Sequence, residues 1–213
     1  ILDGDGNGHL YIPYDAKKDK IIDIVINSKV QRPGVCNALE TLLINAEVYK
    51  EMGEEIVNSL LQKDVELFVD PIIKKDFPAL TIATDEHFET EFHDLKLAIK
   101  VVNNIEEAIS HINKFSSGHT EAILTESTEA ADLFTSSIDS SVLFVNSSTR
   151  FTDGEMFGFG AEIGISTQKL HVRGPMGLEA LTSEKYVVKG NGQIRKWVIK
   201  NYKSKISRKI IIL

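Results

Sequence analysis

The sequence predicts an α/β protein in which a parallel sheet is flanked by helices. From Leu97 to Val145, segments with strand, helix, strand, helix and strand character alternate in under fifty residues. Connections of this kind are right-handed crossovers that lay helices on the faces of a parallel sheet. The strand candidates are compact apolar runs, as expected of strands buried on both faces. The helix candidates carry caps and one apolar face each.

Taken in order, His9 to Ile12 reads as a short strand. Asp19 to Lys29 then places Ile21, Ile22, Ile24, Val25 and Ser28 at helical spacing. Pro33 and Gly34 end that helix, and a second helix is expected from about Cys36 to Ile44. A third runs from Ala46 to Gln62, with Val48, Met52, Ile56 and Leu60 on one face. Val65 to Val69 is a strand closed by Asp70 and Pro71, and Leu97 to Val102 is another, apolar apart from Lys100. Asn103 and Asn104 offer a cap, with Glu106 and Glu107 in the first turn, for an amphipathic helix through Phe115. Glu121 to Thr125, Ser127 to Ile138 and Ser141 to Val145 complete the alternation. Beyond Asn146 the chain turns polar and glycine-rich, a length of irregular sequence that usually serves function. Tyr186 to Lys189 and Gln193 to Arg195 are expected to form one late strand.

The 213 residues are 42% hydrophobic and 26% charged, the range of an ordinary globular protein. No apolar stretch of membrane-spanning length and no basic leader is visible, so the reading is a cytoplasmic protein without a membrane partner. A net charge of -7 argues against general nucleic-acid binding, which needs clustered cations. Residues 196–213 differ from the rest: six of them are Lys or Arg and none is acidic, which leaves -13 on the remainder. The chain opens at Ile1 and reads like a fragment.

A single cysteine, Cys36, cannot form an intrachain disulfide or a Cys-based zinc site. It can be a small buried hydrophobe, a redox sensor or a nucleophile. If the expected second helix starts at Cys36, its free N–H groups and dipole would favour the thiolate and could also hold an oxyanion. The six histidines show no metal-ligand spacing, and no metal is implied. Gly4, Gly6 and Gly8 precede a strand, where a dinucleotide-binding loop would follow one, so that reading is rejected.

The run Gln31-Arg32-Pro33-Gly34-Val35-Cys36-Asn37-Ala38-Leu39-Glu40-Thr41-Leu42-Leu43 resembles the cysteine motif of gamma-glutamyl phosphate reductases, also called glutamate-5-semialdehyde dehydrogenases. Further similar blocks are 118–123, Phe144 to Gly154 with Asn146-Ser147-Ser148-Thr149-Arg150 at its centre, 160–169 and 171–182. The resemblance extends from about Leu2 to Arg195.

It implies an aldehyde-dehydrogenase-like catalytic domain lacking most of its N-terminal cofactor domain. The implied segments are 1–13 as the end of the cofactor domain, 14–147 as the thiol domain, 148–195 as an active-site loop and oligomerisation strand, and 196–213 as a tail of unknown role. The implied reaction is NADPH-dependent reduction of gamma-glutamyl phosphate to glutamate-5-semialdehyde and phosphate, in proline biosynthesis, through a thioester on Cys36. Asn37 is assigned to positioning or the oxyanion, and Glu91 to the cofactor, NADP(H). Arg150, with Ser147, Ser148 and Thr149, lies just past a strand end, where parallel sheets place ligands. Its guanidinium could take a substrate carboxylate or phosphate, or else pair with Asp153 or Glu155.

The family also implies a homo-oligomer and a functional association with glutamate 5-kinase. Three departures stand out: Leu2 where related enzymes carry a glutamate base, Gly8 where a cysteine often stands, and the tail after Arg195. Alternative readings are the reductase half of a bifunctional delta-1-pyrroline-5-carboxylate synthase and a non-catalytic assembly remnant.

Overall fold

A computed structural model describes residues 5–169, 172–189, 191–192 and 194. Seven parallel strands form one sheet in the order β4-β3-β5-β2-β1-β6-β7. In chain order these are β1 Gly8–Ile12, β2 Leu39–Asn45, β3 Glu66–Val69, β4 Thr81–Ile82, β5 Lys96–Val102, β6 Thr120–Ile123 and β7 Val142–Val145. The helices between them are α1 Lys18–Val30, α2 Ala46–Leu61, α3 Pro71–Asp76, α4 Asp85–Glu89, α5 Ile105–Phe115 and α6 Thr128–Ser137. A separate antiparallel pair, β8 Gly164–Ser166 and β9 Gly174–Met176, follows. The expected fold class is therefore present.

Alternation along the central strands assigns the two faces. Leu10, Ile12, Leu42 and Ile44 pack with Ile21, Val25, Val48, Ile56 and Leu60, from α1 and α2. Tyr11, Leu43 and Ile123, pointing the other way, pack with Ala108, Ile112 and Phe134 from α5 and α6. The helix starts have local causes. The Asn45 side chain accepts from the Glu47 amide at the start of α2, Asn104 from Glu107 at α5, and Ser127 from Ala130 at α6. Asp70 caps α3 through the amides of Ile72 and Ile73, with Pro71 in the first turn, and its other oxygen accepts from the Val101 amide at 2.8 Å.

Residues 36–44 do not form the expected helix. Leu39–Asn45 is the strand β2, hydrogen-bonded to β1 on one side and β5 on the other. All seven of its residues are buried, so the period-two signal that marks a strand is missing, and an apolar run of this length fits either element. Glu40, the one charge of the strand, is buried and paired with Lys29 in the last turn of α1. The short elements α3, β4 and α4 have no counterpart in the sequence reading.

β1, assigned by the resemblance to the end of a preceding domain, is a central strand between β2 and β6. From Ser183 on the described residues contain no helix or strand. Tyr186–Lys189, expected as part of a late strand, carry no strand within this chain. Gln193 and Arg195 lie outside the described residues, as does the basic tail.

Candidate active site

Cys36 lies in the 31–38 turn between α1 and β2 and is half-buried. Because no helix begins there, the helix-dipole route to a thiolate does not apply. The turn is closed by the Ala38 amide, which donates to Val35 O at 2.9 Å. Its two ends are clamped together. Lys29, in the last turn of α1, donates to Glu40 Oε2 in β2 at 2.8 Å, and both side chains are 0% exposed. Burial pushes the Glu40 carboxyl up to about 8 and the Lys29 ammonium down, while their mutual attraction opposes both shifts.

Gly6 seats the turn from the other side. A Cβ on Gly6 would fall 1.9 Å from Cys36 O and 2.3 Å from Cys36 Cα, so only glycine permits this approach. The Gly6 amide in turn donates to Glu91 Oε2 at 2.7 Å. The Glu91 side chain is 5% exposed, and its Oε1, 3.5 Å from His93 Nδ1, has no hydrogen-bond partner. Asn7 fixes the same edge: its amide group donates to Phe88 O at 2.7 Å and Phe115 O at 2.9 Å. Gly6 enters the sequence reading only within a rejected phosphate loop, and Asn7 does not enter it. The signal available was the glycine spacing before β1, which marks close backbone approach instead of a phosphate loop.

The segment after β7 reaches Cys36 through a chain of contacts. Asn37 Nδ2 donates to Thr152 O at 2.7 Å, and Thr120 Oγ1 donates to Thr152 Oγ1 at 2.9 Å. Arg150 Nε donates to Gln31 Oε1 at 2.6 Å. Burial and the neighbouring Arg32 charge lower the Arg150 pKa, and the charges of Asp153 and Cys36 offset part of this. Among the described residues the arginine ion pair is Arg173 with Asp139, so the alternative pairing of Arg150 with Asp153 or Glu155 is not formed.

Ser147 is half-buried, whereas Ser148 and Thr149 are buried against α1. Ser28 Oγ donates to Ser148 Oγ at 3.1 Å, and the Thr149 amide donates to Ser28 Oγ at 3.3 Å. These contacts anchor the loop on which Arg150 is carried.

Every element of this cluster sits at the amino-terminal edge of the parallel sheet. Gly6 and Asn7 precede β1, Cys36 and Asn37 precede β2, Glu91 precedes β5, and Thr120 opens β6. Placing Arg150 at the carboxyl ends of the strands is therefore incorrect. The chain leaves β7, docks on Ser28 near the end of α1, and returns to the opposite edge.

No family model matches the chain. It is 54% identical over 196 residues to the gamma-glutamyl phosphate reductase of Thermoanaerobacter pseudethanolicus, covering 92% of this chain and 47% of that protein. In sequence the chain is similar to about half the length of these gamma-glutamyl phosphate reductases. It spans about half the length of the curated relatives it matches; the reductase of Bacillus cereus, 54% identical over 193 residues, is covered to 46%.

The crystal structure of the gamma-glutamyl phosphate reductase of Thermotoga maritima superimposes with a TM-score of 0.86 at 47% identity, over 91% of this chain and 47% of that one. A propionaldehyde dehydrogenase of Clostridium phytofermentans shares the fold, with a TM-score of 0.63 at 14% identity, over 86% of this chain and 50% of that one. This chain's fold is thus shared with an aldehyde dehydrogenase, and Cys36 lies on the turn that enters its central strand β2.

Proposed function

We propose that this chain supplies the thiol-bearing part of a gamma-glutamyl phosphate reductase, which makes glutamate-5-semialdehyde and phosphate for proline biosynthesis. The observation that carries the reading is the seating of Cys36: a turn clamped by Lys29 and Glu40, closed by Gly6, and connected to Glu91 and Arg150. The sulfur attacks the acyl carbon of the substrate, the bond to the phosphate oxygen breaks, and phosphate leaves with the bonding electron pair. Arg150 orients an anionic end of the substrate, and Asn37 holds the turn against the Thr152 segment while the adduct forms.

The cofactor for this reading is NADP(H), which supplies a hydride when bound. Glu91 fits a sugar hydroxyl: one oxygen is spent on Gly6, and the buried second oxygen is an acceptor in want of a donor. About half of the relatives' length has no counterpart in these 213 residues, so the chain is assayed together with the complementary half of a relative. Phosphate-dependent oxidation of glutamate-5-semialdehyde is the readout. Activity is expected in the reconstituted enzyme, little from the chain alone, and none with Cys36→Ala. A Cys36→Ala enzyme that keeps its turnover would rule out the covalent route.

A further inference from the structure

His119 directly precedes β6, on the sheet edge that carries Cys36, and is 0% exposed. Its backbone is pinned beside β7: the Val142 amide donates to His119 O at 3.1 Å, and the Ser141 amide to Gly118 O at 2.8 Å. His119 Nδ1 lies 2.7 Å from Thr120 Oγ1, while Nε2 has no hydrogen-bond partner among the described residues. Thr120 Oγ1 donates to Thr152 Oγ1 at 2.9 Å, and Thr152 O accepts from Asn37 Nδ2 at 2.7 Å. All four residues are buried. An unbroken run of polar contacts thus leads from His119 to the residue after Cys36.

We infer that His119 is a positioning residue for Cys36, acting through Thr120 and Thr152 on Asn37. This deepens the functional reading above and rests on it. Thr152 is the bridge, since its hydroxyl is held from β6 and its carbonyl holds the cysteine turn. A hydroxyl has one proton to give. With the Thr120 proton directed at Thr152, Nδ1 supplies the proton between His119 and Thr120, which fixes the hydroxyl in that orientation. Burial brings the His119 pKa down to about 4, against the pull of Glu121, so the ring is neutral and adds no charge to the run. Its contribution is therefore placement. A sulfur held slightly out of line with the acyl carbon loses turnover while substrate binding is spared.

Cys36 is the single thiol of the chain, so its alkylation by iodoacetamide reports on the turn without needing turnover. The parent is compared with His119→Leu, Thr120→Val, the double variant and His119→Asn. Asn104→Ala, at the opposite edge of the sheet, is the destabilised control. His119→Leu and Thr120→Val are each expected to speed alkylation about two- to tenfold, the factor that a neutral hydrogen bond is worth. The double variant should match the single ones, because both break one run. His119→Asn should return the rate to near that of the parent, since its amide N–H falls where Nδ1 stood. In the reconstituted enzyme, His119→Leu should lower kcat by a similar factor and leave KM unchanged.

Alkylation at the parent rate in His119→Leu or Thr120→Val overturns the proposal, as does equal speeding in Asn104→Ala, which reduces the effect to lost stability. Additive effects in the double variant, or His119→Asn behaving like His119→Leu, also overturn it. So does a raised KM with kcat unchanged, which would assign His119 to substrate binding. Should His119→Leu fail to fold, Thr120→Val and His119→Asn decide by the same rates. A Cys36→Ala enzyme that keeps its turnover sinks the functional reading instead, and the alkylation comparison is untouched by it.

Discussion

At the scale of single residues, the site depends on groups that cannot tolerate water or empty space. Lys29 and Glu40 are both fully buried, so each is stable only with the other in place. Removing one charge strands its partner. Lys29→Met is expected to cost about 3–5 kcal/mol in denaturant unfolding, whereas the double change Lys29→Met/Glu40→Leu should lie near the parent. Gly6→Ala should be destabilising by about 1–3 kcal/mol, since its methyl group would overlap the Cys36 backbone, and should change the rate of Cys36 alkylation with it. Cys36 with its neighbours and Arg150 could be picked out in the sequence because each lies in a contiguous run, 31–43 and 144–154. Gly6, Asn7 and the Lys29–Glu40 pair were not, because each acts on a residue that folding brings from elsewhere or hides from solvent.

Among the elements, boundaries set by caps agree well between sequence and structure. α2, α5 and α6 begin where Asn45, Asn104 and Ser127 place them. Asn104→Ala should cost about 1 kcal/mol, read as a shift in the unfolding midpoint, with the active-site turn unaffected. β2 is where the sequence misleads. A strand with neighbours on both edges and helices on both faces has no polar side to alternate with, and its one charge is cancelled from a helix a turn away. The error mattered for chemistry, because no helix dipole acts on Cys36; its turn is seated instead by the Gly6 approach and the Lys29–Glu40 pair. α3 and α4, of six and five residues, are too short for any period to emerge.

For the whole molecule, the sheet divides its two faces between α1–α2 and α5–α6 and gathers the candidate site on its amino-terminal edge. The parallel order was legible from alternation, but the edge was not, since it depends on the path of the chain after β7. Burial also sets a pH response. His111 is held down to about 3 by burial among Phe88 and Phe115, and by the charges of His9, Lys100 and Lys114. Between that value and about 6.5 the unfolded chain binds a proton that the folded chain refuses, so stability falls as pH falls. His111→Phe should remove about 1.4 kcal/mol per pH unit of that slope across this window, measured as the difference between the two unfolding-versus-pH curves.

The position of β1 has a consequence for handling the protein. It is five residues long and fills a slot between β2 and β6, with backbone bonds to both. A chain trimmed past Ile12 would present two facing rows of unsatisfied amides and carbonyls, a gap that accepts one extended segment. Copies in that condition would complete each other by exchanging strands or would aggregate, so truncations should stop short of Asp5, and a synthetic peptide spanning 5–14 is the natural agent for restoring a shortened chain.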